Sequence, residues 1–88
     1  MAMQTRYKYI EFIEEHISGK TRKFFCRNHE TGAWLGEVKW AGNWRCYGWF
    51  PNPGTMYEHQ CQFDIGHFLK QLTDEWREKK KAEKAAQG

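Results

Sequence analysis

No uncharged apolar run in these 88 residues approaches the ~20 that a membrane-spanning helix requires. The opening MAMQTRYKYI lacks the apolar centre of a secretory signal. Both absences lead us to expect a cytoplasmic protein without membrane partners. Cysteine is scarce: Cys26, Cys46 and Cys61 cannot all pair within one chain, so reduced thiols are expected. Proline occurs only at Pro51 and Pro53, where it ends a segment instead of interrupting one. Excess charge is missing from most of the chain. Residues 1–76 balance nine Lys/Arg against nine Asp/Glu, and residues 77–88 supply the whole net charge of +3. A globally basic nucleic-acid binder is therefore not indicated by pI. No internal repeat or second domain is visible.

Aromatics are what the chain does have, at 17%. A domain this short hides only about 60–65% of the surface its unfolded chain exposes, and large rings offset that shortfall. Four of the five tryptophans fall in Trp34–Phe50, WLGEVKWAGNWRCYGWF. We read this stretch as two antiparallel strands joined at Ala41-Gly42-Asn43. Thr21–Asn28 reads as the strand before it, followed by turn chemistry at Asn28–Gly32. Thr55–Glu58 reads as a short edge strand. Residues 6–17 carry both a helical spacing of isoleucines and a strand-like composition, and we favour the strand. Ser18-Gly19-Lys20 then breaks the segment.

Asp64 is the expected N-cap of a terminal helix, because Ile65, Phe68, Leu69, Leu72 and Trp76 form one apolar stripe behind it. The fold class is thus α+β: a curved antiparallel sheet of four to five strands in roughly sequential order, with the C-terminal helix packed on one face. Residues 1–76 make one domain, and 77–88 a charged solvated tail.

Strand alternation sorts the side chains. Phe24, Cys26, Trp34, Val38, Trp40, Cys46 and Phe50 are assigned to the helix-covered face. Lys23, Phe25, Arg27, Lys39, Arg45, Tyr47 and Trp49 fall on the opposite face, with Leu35 and Glu37. Rings interleaved with cations suit protein contact, where Trp, Tyr and Arg dominate binding energy. The same residue types suit stacking of single-stranded DNA or RNA, though no RNP-type signature is present.

The segments Leu35-Gly36-Glu37-Val38-Lys39-Trp40, Trp44-Arg45-x-Tyr47-x-x-Phe50-Pro51, Thr55 and Cys61-x-x-Asp64-Ile65-x-x-Phe68 resemble a family of small bacterial and phage proteins. Its pattern is LGxIxW, WRxYxFxP, T and CLxDIxxFI. Gly19-Lys20-Thr21 before a strand also matches, so the resemblance covers roughly residues 19–72. Gln62 departs from the usual Leu. The resemblance implies the fold, a bacterial or phage origin, a strand ahead of Gly19 and action on host machinery as inhibitor or accessory. It implies no catalytic residue.

Other chemistry is weakly supported. Gly19-Lys20-Thr21 ends like a phosphate loop, but Glu14 stands where the first glycine of GxxxxGK[ST] belongs. Cys26, His29, His59 and Cys61 are zinc-competent but lack the standard spacings. No nucleophile with a base in reach, and no paired carboxylates in a glycine-framed loop, can be read. The expectation is a non-enzymatic binding module without cofactor or metal, acting by protein contact that includes self-association.

Overall fold

The computed structural model describes residues 3–15 and 21–87. Four strands, β1 (Ile10–Glu14), β2 (Phe24–Asn28), β3 (Trp34–Ala41) and β4 (Cys46–Pro51), precede one helix, α1 (His59–Gln87). The strands form one antiparallel sheet in the order β1-β2-β3-β4, as expected for hairpin connections. The ambiguous N-terminal stretch supplies a strand. Its expected break, and with it Gly19 and Lys20 of the phosphate-loop candidate, lies outside the described residues.

Turn chemistry sets the first described hairpin. Asn28 Oδ1 accepts from the backbone N–H groups of Glu30 and Thr31 at 2.9 and 3.1 Å, and Gly32 takes a φ of 78°. The second hairpin departs from expectation. Its loop holds four residues, Gly42–Arg45, and Arg45 closes it in the left-handed region at φ 54°. Ala41 therefore opposes Cys46, Trp40 opposes Tyr47 and Val38 opposes Trp49. A three-residue connection would have placed the even positions of β4 beside Val38 and Trp40. One additional loop residue exchanges the faces of the whole strand.

A second shift lies between Cys26 and Arg27, where Cys26 opposes Gly36 but Arg27 opposes Trp34. The unpaired Leu35 turns into the core, and Trp34 swings to the other face with half its surface exposed. Gly36 is buried beneath the Trp49 indole: a Cβ there would lie 2.9 Å from Cη2 of the ring and 2.6 Å from the Phe50 carbonyl oxygen.

The core lies between the sheet and α1. Phe68, fully buried, stacks on Phe12 at 3.9 Å between ring centres and meets Phe24 edge-on at 4.8 Å. Leu72, Ile65 and Cys61 continue the stripe. Trp76 packs on Trp40, which also meets the Tyr47 ring edge-on at 5.4 Å. A polar seam locks the helix to the sheet. The Tyr47 N–H donates to Thr73 Oγ1 at 3.2 Å, and the Tyr47 hydroxyl accepts from the Arg22 N–H at 3.0 Å. The Arg22 guanidinium grips Glu14 and Glu75, which raises its affinity for its proton.

Both rims of the sheet have neighbours. Along β1, the Phe12 N–H donates to Thr5 O and Arg6 bridges to Glu11. Along β4, Thr73 takes the outward Tyr47 N–H, and Pro51 has none to offer.

Helix α1 begins five residues before the expected cap. Glu58 caps it, accepting from the Cys61 N–H at 2.7 Å. Asp64 instead sits buried inside the helix, with Oδ1 accepting from Gln60 Nε2 and Oδ2 without a partner among the described residues. Residues 77–87 continue the helix instead of fraying, supported by pairs such as Lys79–Glu75 and Lys80–Glu83. No strand forms at Thr55–Glu58. The Thr55 and Tyr57 hydroxyls bond to each other, and Tyr57 donates to Leu35 O at 2.7 Å.

Two substitutions probe this architecture. Gly36→Ala forces methyl against indole and backbone and should cost about 1–3 kcal/mol in chemical denaturation. Thr73→Val keeps shape but orphans the Tyr47 N–H, and should also cost about 1–3 kcal/mol by the same measurement.

Candidate functional site: the helix-free face of the sheet

The register decides which side chains remain uncovered. Across the strands, Ile13, Phe25, Glu37 and Phe50 form one row. Glu11, Arg27 and Trp34 form the next. Lys23 and Lys39 flank the first row on its other side. Ile13, Trp34 and Phe50 are exposed, and Phe25 meets Trp34 edge-on at 6.1 Å. Phe25, Trp34, Gly36, Glu37 and Asn52 line a shallow depression of about 420 Å³.

Lys23, Phe25, Arg27 and Lys39 thus occupy the open face as expected. Three other candidates do not. Tyr47 is sealed beneath α1 at 5% exposure. Trp49 lies half-buried on the helix side, against Tyr57. Arg45 projects from the loop rather than from a strand. In return, Trp34 and Phe50, expected under the helix, face outward. Sequence reasoning missed them for a definite reason. Alternation within each strand was readable, but the phase between strands depends on loop length and on the shift at Leu35. The Asn43-Trp44-Arg45 run offered one usable signal, since a turn there tolerates no β-ladder partner for Trp44, which is 76% exposed.

Among the described residues, the strand cations of this face are matched. Arg27 Nε bonds Glu11 at 2.7 Å. Lys23 lies 3.3 Å from Glu15 and 3.9 Å from Glu37, and Lys39 lies 3.8 Å from Glu37. Each also sits over a ring: Lys23 over Phe25, Arg27 over Trp34 and Lys39 over Phe50. With Arg6, which lies 3.2 Å from the same Glu11, four cations share three carboxylates among the described residues, and the face carries little net charge. Such exposed pairs contribute little stability, but they quench the field that a phosphate backbone would need.

The metal-ligand candidates do not assemble into a set. Cys26 and Cys61 approach each other in the core, where burial pushes the Cys26 thiol up to about 12 and raises that of Cys61. His29 Nε2 is bonded to Tyr7 O at 2.9 Å, while His59 is exposed beside Glu58. Among the described residues, no three His, Cys, Asp or Glu side chains converge on a point. Protonated buried thiols are poor nucleophiles and poor metal ligands.

The Arg27 hydrogen bond holds the Glu11 carboxyl below its ordinary value of 4.5. A lowered native pKa contributes stability that is complete above the unfolded value and disappears as pH falls through the native one. The melting temperature should therefore fall on acidification below about pH 4.5, and Glu11→Gln should flatten that decline in thermal melts. Comparison with protein-family models, with characterised proteins and with solved structures finds no match to this chain.

Proposed function

We propose that the protein is a non-enzymatic docking module that works by protein contact through the helix-free face of its sheet. One observation carries this reading: exposed Trp34, Phe50 and Ile13 surround Phe25 on a surface whose charges are internally paired. Apolar rings framed by neutralised charge make a desolvable centre with a polar rim, the anatomy of a protein interface. Single-stranded nucleic acid also stacks on rings, but here it would have to break ion pairs to gain its phosphate contacts. The near balance of cations and anions also makes the face electrically compatible with a second copy of itself. In the bacterial or phage setting that the sequence resemblance suggests, a host protein is the other partner of this kind, and the module would be its inhibitor or accessory.

Sedimentation at two concentrations should show the parent self-associating, with Trp34→Glu and Phe50→Glu remaining monomeric and folded. A parent that stays monomeric would reduce the reading to contact with a different protein. Binding of a single-stranded oligonucleotide that weakens steeply with salt and is lost in Trp34→Glu would overturn protein contact in favour of nucleic acid.

A further inference from the structure

The excess positive charge of the chain is concentrated on the last part of α1, where residues 77–87 carry five basic side chains and two acidic ones. The helix turns Ile65, Phe68, Leu72 and Trp76 toward the sheet. On the opposite side Lys70, Asp74, Arg77, Lys81 and Lys84 follow one another at intervals of four, three, four and three, which is one line along a helix of 3.6 residues per turn. All five are exposed. Asp74 is the anion on this line, and it is held by Lys70 at 2.7 Å. Of the neighbouring basic residues, Lys79 pairs with Glu75, and Lys80 pairs with Glu83 and sits over Trp76. Among the described residues Arg77, Lys81 and Lys84 have no ion-pair partner. They stand on the part of the helix beyond Trp76, and all three are exposed.

We infer that this outward line of α1 is a second binding surface, and that it takes the phosphate backbone of a nucleic-acid duplex without reading sequence. A helix about 10–12 Å across fits a major groove about 12 Å wide. Lys70 to Lys84 spans about 21 Å of helix, a linear array of charge suited to a linear polyanion. Residues 77–85 offer only alanines as apolar groups, so nothing there would anchor the helix in a lipid surface. Lysine and arginine without amide or aromatic companions position a protein on phosphates and carry no base readout. This surface lies on the opposite side of the molecule from the sheet face and does not depend on it.

The test is fluorescence anisotropy of a labelled 20-base-pair duplex of arbitrary sequence, with the full chain. Three released counterion sites predict a log–log salt slope near −2.7, or a loss of about 40-fold in affinity between 50 and 200 mM salt. The triple variant Arg77→Ala, Lys81→Ala, Lys84→Ala should lose binding while its circular dichroism stays helical, since alanine favours the helix. Trp34→Glu should bind as the parent does. The assignment is overturned if the parent shows no binding at 50 mM salt, or if the triple variant binds undiminished. It is equally overturned if the parent ignores the duplex but sediments with vesicles containing phosphatidylserine.

Discussion

The four-residue loop between β3 and β4 sets the identity of both faces of this protein. Pairing Ala41 with Cys46 puts Tyr47 and Trp49 beside Trp40 and Val38, under the helix. Shifting that pairing by one residue would send them to solvent and bring Phe50 inside. The loop accommodates the register by holding Arg45 at positive φ, an uncommon conformation for a side chain of that size. The covered surface and the uncovered one are thus two results of a single backbone choice.

Once Tyr47 faces inward, its polar atoms must find partners, and these fix the position of α1. Thr73 takes the backbone N–H and the Arg22 N–H reaches the hydroxyl, while the Arg22 side chain reaches across to Glu75. The rings Phe12, Phe24 and Phe68 supply apolar burial along the other half of the helix. The seam gives direction to a packing that apolar contact alone would leave free to slide. On the far side of the sheet the same economy of pairing leaves rings bare and charges spent.

Much of the architecture was legible because local signals agreed. Turn residues at Asn28–Gly32, the β3 alternation and the apolar period of Ile65–Trp76 each imply the element that forms. The open face was legible only in part. Phe25 and Arg27 follow from alternation in β2, whereas Trp34 and Phe50 depend on the shift at Leu35 and on loop length, which no periodicity records. Asp64 shows the same limit at the helix start. A good capping residue loses to Glu58 because Cys61 belongs to the buried stripe and draws the helix back by more than a turn.

The rims of the sheet bear on how many neighbours the molecule can have. Thr5 and Arg6 run beside β1, while Thr73 and Pro51 interrupt β4, so among the described residues neither margin presents an uninterrupted ladder. The second broad side is under a helix. On the proposed reading, a partner seated on the bare side of the sheet meets a broad ring-rich face rather than a row of open backbone groups, so contact there would be made by side chains and not by strand addition.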